Sequence, residues 1–199
     1  MRERKYLNQE ELNRFFEAVR KGSIRDRLMM NLTFHLGLRA SELVGLRLDD
    51  VQRFNGLPEI LVRGVKGGLT KSYLMVQEDV KLLAKWLKER NKIRGAEDNP
   101  NLFITARGTL SKMQAQRIFK KYAEEAGIEP CANSKGKPTL GIHQLRFSLG
   151  AFMAWNREPT RDIQKRLRHK RLENAQFYTD LLGAEEKEAQ ERLNKLFKV

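Results

Sequence analysis

The sequence has a single cysteine, three histidines and five prolines in 199 residues. One cysteine cannot build a disulfide framework or a thiolate zinc site, which fits a reducing, cytoplasmic setting. The histidines lie far apart in the sequence, and paired carboxylates such as Asp49-Asp50 have no partnering cluster, so no metal site is expected. No window approaches the roughly 20 apolar residues of a membrane span. The charged start, Met1-Arg2-Glu3-Arg4-Lys5, is not followed by the apolar segment of a secretory signal. G-x-S-x-G, P-loop, H-E-x-x-H and strand-linked G-x-G-x-x-G motifs are all missing, which removes the common hydrolase, nucleotide and metalloprotease readings. An enzyme built from this chain is expected to work without metal or cofactor, through cationic groups.

Acidic residues are scarce relative to basic ones: 25 Asp and Glu against 39 Lys and Arg, a formal charge of +14. The segment Ala184–Val199 balances four acids with four bases, so the whole excess lies in residues 1–183. With 40% hydrophobic residues the chain is globular, not a basic tail. A folded body with this surplus calls for a polyanionic partner, nucleic acid before membrane. The densest patch, Arg161–Arg171 (RDIQKRLRHKR), holds six bases, one acid and His169.

Helical patterning dominates. Asn8 and Glu11 form a capping box, with Leu7 and Leu12 as its hydrophobic staple, for a helix ending near Lys21. Ser23 caps a second helix that ends near Gly37, and a short one covers Ala40–Leu46. Glu59–Arg63 and Lys71–Val76 read as two strands around Gly64, Gly67 and Gly68, the only convincing β-structure. Helices follow over Gln77–Asn91, Ser111–Gly127 and Ile142–Asn156, with a polar loop over Glu129–Leu140. The last of these helices is read with Leu145, Leu149, Phe152 and Met153 inward and His143 and Arg146 on the opposite face, towards a ligand. The fold class is mainly α with a small antiparallel sheet.

Four local features could carry chemistry. Arg39, in LGLRASELVGLR, stands at a helix start, where a guanidinium and outward N–H groups suit a phosphate; Glu42 can brace it. Lys66 sits at a glycine-rich hairpin tip, able to deliver an ammonium into a groove. His143 and Arg146 open a helix. Tyr178 follows the basic patch by a few residues. Each has a bland counterpart: a solvated pair, an exposed lysine, a half-buried aromatic.

Their order is distinctive. Arg39, Lys66, His143-x-x-Arg146, His169 and Tyr178 in succession resemble the tyrosine recombinase (phage integrase) family. GLRASEL matches its first arginine box, H-Q-L-R its H-x-L-R, and RLRHKRLENAQFY its L-G-H segment followed by the nucleophilic tyrosine. The resemblance implies that Tyr178 attacks a scissile phosphate of double-stranded DNA and becomes a 3′-phosphotyrosyl adduct. Arg39 and Arg146 would grip the non-bridging oxygens, His143 would accept the phenol proton, Lys66 would protonate the leaving 5′-hydroxyl, and His169 would position the phosphate. Nearby cations are expected to lower the Tyr178 pKa. Rejoining would need neither ATP nor metal.

The sequence departs from the family in places. V-K-G-G-L-T-K replaces the G-K-G turn, so Lys71 rivals Lys66, which is preferred because glycine follows it. Phe147 stands where a histidine is often found, and Arg168 where L-G-H has glycine. Arg168, with Lys170 and Arg171, is therefore a candidate DNA contact, as is Lys71. The catalytic domain is assigned to residues 1–183 with no separate N-terminal core-binding domain, which resembles the short invertases of fimbrial switches or an excised catalytic domain. Residues 184–199 are expected to be a C-terminal helix that packs on a neighbouring subunit of a tetramer holding two DNA sites, or on its own domain. Competing readings are a type IB topoisomerase, a non-catalytic DNA-binding regulator on the same fold, and an RNA-binding protein.

Overall fold

The computed structural model describes residues 5–65, 69–132, 137–180 and 183. Lys66 and the segment 184–199 lie outside the described residues.

The N-terminal helix α1 (Gln9–Arg20) begins at the capping box read from the sequence: the Glu11 amide donates to Asn8 Oδ1 at 2.8 Å, and the Asn8 amide to Glu11 Oε2 at 2.9 Å. Ser23 caps α2 (Ile24–His35) through its hydroxyl. Helix α3 (Ala40–Val44) follows a turn at Gly37, and a 3-10 turn (Leu48–Asp50) leads into the sheet. Helices α4 (Gln77–Arg90), α5 (Lys112–Glu125), α6 (His143–Trp155) and α7 (Thr160–Arg166) complete the set, and residues 173–180 are again helical. No described helix is long and apolar enough to cross a membrane.

Two apolar clusters hold this together. The larger joins α1, α2, α4 and α5 to the start of α6, through residues such as Phe15, Leu28, Leu32, Trp86, Phe119 and Leu145. The smaller gathers Leu149, Ala154, Ile163, Leu167, Ala175 and Tyr178. Tyr178 is thus anchored by packing between α6, α7 and its own helical stretch. Leu7 ties the N-terminal segment to α6 by donating its amide to Ser148 Oγ at 2.8 Å.

The β-structure exceeds the two strands expected. The sheet has three antiparallel strands in the order β1 (Val51–Phe54), β2 (Leu57–Val62) and β3 (Lys71–Leu74). The overlooked β1 pairs with β2 across Asn55-Gly56, whose φ values of 48° and 80° suit the Asn-Gly turn that follows strand twist. Two further ribbons pair β4 (Ile104–Thr105) with β5 (Gly108–Thr109), and β6 (Cys131–Ala132) with β7 (Pro138–Thr139). The last lies inside the stretch read as loop, where two-residue strands leave no periodicity to detect.

Helix α6 also differs from its expected facing. Phe152 is exposed, whereas Arg146 is buried beside Leu145 and Leu149. Packed against α2 and α7, the N-terminal half of α6 is enclosed on most sides, so a polar side chain there can turn inward if it finds partners.

Candidate functional site

Arg39, His143, Arg146, His169 and Tyr178 line one cleft of about 570 Å³, with Lys5, Phe147, Glu173, Asn174 and Phe177 completing its wall. Residues spread over 140 positions of sequence are gathered by three structural devices.

The first is the turn between α2 and α3. Gly37 has φ +57°, and a side chain there would press against Leu167, with its β-carbon 2.6 Å from that leucine's Cδ2. The absent side chain lets the α7 end close onto the turn. Arg39 then caps α3. Its amide donates to Glu42 Oε2 at 2.8 Å and its guanidinium to Glu42 Oε1 at 2.7 Å, so Glu42 braces it as expected. The Arg39 side chain keeps one third of its surface in the cleft.

Helix α6 is the second device. It opens with His143 at the exposed mouth and carries Arg146 one turn deeper. The Arg146 fork donates to the carbonyls of Gly37 and Leu167, which fix its plane from two directions. Burial first, then the Arg39 and Arg168 charges, push the Arg146 pKa down to about 10, still well above neutrality.

The third device seats the tyrosine. Gly150 of α6 lies under its ring, and a β-carbon there would fall 2.4 Å from Tyr178 Cε1. The His169 ring stacks on it with centroids 6.1 Å apart and planes 13° from parallel. Phe147 and Phe177 approach it at 6.3 and 5.5 Å. Phe147, directly after H-Q-L-R, therefore packs on the nucleophile candidate. Tyr178 is 2% exposed.

The electrostatics depart from expectation at one point. Cations were expected to lower the Tyr178 pKa. Arg146 and Arg39 do pull it down, but burial is the larger effect and raises it to about 12. The phenol is therefore firmly protonated near pH 7. Both imidazoles go the other way. Burial, then Arg146, Arg39 and Arg168, push His169 down to about 4. Cleft walls and the same two arginines, Arg146 and Arg39, lower His143. Both rings are thus neutral near pH 7 and able to accept a proton.

This arrangement predicts a pH-dependent stability. The folded His169 pKa, about 4, lies below its unfolded value of 6.5. Between those values the unfolded chain binds more protons, so stability falls as pH falls, by at most about 3 kcal/mol from this group. His143 acts in the same direction. Urea unfolding at about pH 7 and about pH 4 should show His169→Gln losing less stability on acidification than the parent. Equal losses in both would refute the assignment.

The four other described sequence candidates fall into different environments. Lys170 and Arg171 are exposed, next in sequence to the cleft residue His169. Lys71 is exposed on β3, its ammonium 5.2 Å from the Tyr73 ring centroid. Arg168 is not a surface contact. Its side chain is fully buried and bonded to Glu42, Tyr73 and three carbonyls, because an inward-turned backbone and a buried carboxylate draw it into the core. Lys5 was not singled out from the sequence; it belongs to no motif, and only packing of the N-terminal segment brings it to the cleft. Among the described residues no group of His, Cys, Asp and Glu could hold a metal ion.

Comparison with known proteins follows the same lines. The model of the phage integrase family matches residues 5–185. Tyrosine recombinase XerA of Pyrococcus furiosus is 35% identical over 196 residues, which cover 96% of this chain and 63% of XerA. The type 1 fimbriae regulatory protein FimE of Escherichia coli K12 is 31% identical over 182 residues, 90% of this chain and 87% of FimE. Among solved structures, XerH site-specific recombinase in a post-cleavage complex with palindromic difH substrate matches with a TM-score of 0.76 at 25% identity, covering 93% of this chain and 52% of XerH. The chain therefore spans less than two thirds of the XerA and XerH chains it resembles.

Proposed function

Because the chain belongs to the phage integrase family, we propose that it is a site-specific DNA recombinase that cuts and rejoins strands through a 3′-phosphotyrosyl intermediate on Tyr178. The observation that carries this is the single cleft in which Tyr178 meets Arg39, Arg146 and two neutral histidines.

The chemistry follows from that cleft. Three guanidiniums, Arg39, Arg146 and Arg168, share the one Glu42 carboxylate, so two positive charges are left over. A phosphodiester carries one negative charge and its phosphorane two, so the site favours the transition state over the ground state. Arg39 and Arg146 hold the non-bridging oxygens. The phosphate charge does not itself lower the phenol pKa, so attack by Tyr178 requires a base in place; His143 takes that proton. His169 lies against the tyrosine ring and positions both ring and phosphate. Lys66, from the β2–β3 connection, protonates the leaving 5′-oxygen, with Lys71 the alternative. The phosphotyrosyl ester conserves the bond energy, and the 5′-hydroxyl of a second strand reverses the step.

The partner is double-stranded DNA, supported by the +14 charge and by the complex of the XerH site-specific recombinase with its difH substrate. Residues 1–183 form the catalytic unit. We extend the proposal to a homotetramer on paired sites, with residues 184–199 contacting a neighbouring subunit.

The test needs no known target site. Incubated with supercoiled plasmid in EDTA without ATP and quenched with SDS, the protein should form a covalent adduct whose peptide map places DNA on Tyr178. Adduct on another residue, or none on plasmid and on the DNA flanking the gene alike, would refute the proposal. Binding should weaken steeply with salt through counterion release.

A further inference from the structure

Arg168 lies two residues beyond α7, directly before His169, with φ +54°. A residue with a β-carbon resists this left-handed conformation, which glycine adopts freely. The position therefore carries an arginine against its backbone preference, and the side chain must supply the reason. The guanidinium is wholly buried, an unfavourable place for a cation without partners. It has five. One terminal nitrogen donates to Leu36 O and Tyr73 Oη at 2.9 Å and to Arg166 O at 3.1 Å; the other donates to Gly37 O at 2.9 Å and to Glu42 Oε2 at 2.7 Å.

The Glu42 contact is the informative one. Glu42 is itself buried and sits between the two arginines that face the cleft. Arg146 stands 3.8 Å from its carboxylate, beyond hydrogen bonding, while Arg168 occupies the 2.7 Å position. Without Arg168 the carboxylate would be balanced by Arg39 and Arg146 alone. Arg146 could then close on Glu42 and leave the Gly37 and Leu167 carbonyls that set its plane. Arg168 also bonds Tyr73 on β3, the strand that follows the connection bearing Lys66, and shares the Gly37 carbonyl with Arg146.

We propose that Arg168 is a positioning residue: it neutralises Glu42 from the core side, so that Arg39 and Arg146 keep their orientation and their charge for the phosphate. This rests on the strand-transfer reading above. It assigns to a buried arginine a role in the site that direct contact with DNA could not give it.

A charge test separates this role from simple support of the fold. Glu42→Gln, Arg168→Met and the double variant are compared with the parent for adduct formation at saturating plasmid and for plasmid affinity. Arg168→Met should form adduct at least about tenfold more slowly, with affinity changed far less, because a group used in the transition state is misplaced. The double variant should recover much of that loss, since the carboxylate that would draw Arg146 out of position is gone. Arg168→Met cleaving like the parent, or a double variant no better than Arg168→Met, would overturn the proposal.

A second readout does not depend on cleavage. The His169 imidazole, followed by NMR, should titrate higher in Arg168→Met than in the parent, because one cation is lost and the nearby Glu42 carboxylate is no longer neutralised from the core side. It should return towards the parent in the double variant, where one charge of each sign has been removed. Loss of structure would instead bring it towards the ordinary histidine value in both. If the parent forms no adduct, the strand-transfer reading fails, and this titration alone decides whether Arg168 balances Glu42. If Arg168→Met does not fold, the double variant decides: folded and cleaving supports the proposal, unfolded overturns it.

Discussion

Replacing Tyr178 by phenylalanine is expected to abolish covalent attachment to DNA while leaving fold and DNA binding intact. The ring makes the packing contacts: it covers Gly150, stacks on His169 and meets Phe147 and Phe177. Phenylalanine keeps all of these and removes one hydroxyl. Burial already raises the phenol to about 12, so the hydroxyl contributes no charge to the resting state. Stability should change little, whereas the reaction loses its nucleophile. The measurement pairs SDS-stable adduct with plasmid retention in a gel and a urea midpoint. Adduct persisting in Tyr178→Phe would remove Tyr178 from the mechanism. Loss of binding together with adduct would show instead that the hydroxyl has a structural part.

Arg146→Lys carries the second-largest expected effect, a fall of about 10²–10³-fold in the rate of adduct formation at saturating DNA. Charge is preserved, so binding should weaken little. The planar fork is lost, and with it the simultaneous hold on the carbonyls of Gly37 and Leu167 that aims the group into the cleft. A lysine could satisfy one carbonyl or one phosphate oxygen, not the present geometry. A loss below about tenfold would mean that Arg146 acts as a point charge only.

These expectations depend on different parts of the structure, and they were legible in the sequence to different degrees. Asn8, Glu11 and Ser23 mark helix starts by contacts within four residues, and the helices begin there. Arg39 and Glu42 are one helical turn apart, and their pairing follows from that spacing. The strand β1 was also within reach, through Asn55-Gly56, but its own four residues alternate too briefly to stand out. Phe152 defeated the periodic reading of α6 because a helix packed on several sides has no single apolar stripe to read.

Arg168 shows the limit most clearly. As one of six bases in an eleven-residue run, it reads as a solvated or phosphate-binding cation. Its partner Glu42 is 126 residues away, and only the closure of the α7 end onto Gly37 brings them to 2.7 Å. Tyr178 is similar. The cations expected to lower its pKa are present, yet burial among Leu149, Ile163 and Leu167 outweighs them.

By itself, then, the sequence determined the helix starts, the mainly α class and the basic character, because capping and periodicity act between near neighbours along the chain; the ordered set Arg39, His143, Arg146, His169 and Tyr178 was legible through the family resemblance of its motifs. Tertiary structure alone decided which cations face the cleft and which are buried, and which protonation states His143, His169 and Tyr178 hold. Desolvation and charge pairing depend on what surrounds a group in space, and around this cleft those surroundings come from segments more than a hundred residues apart.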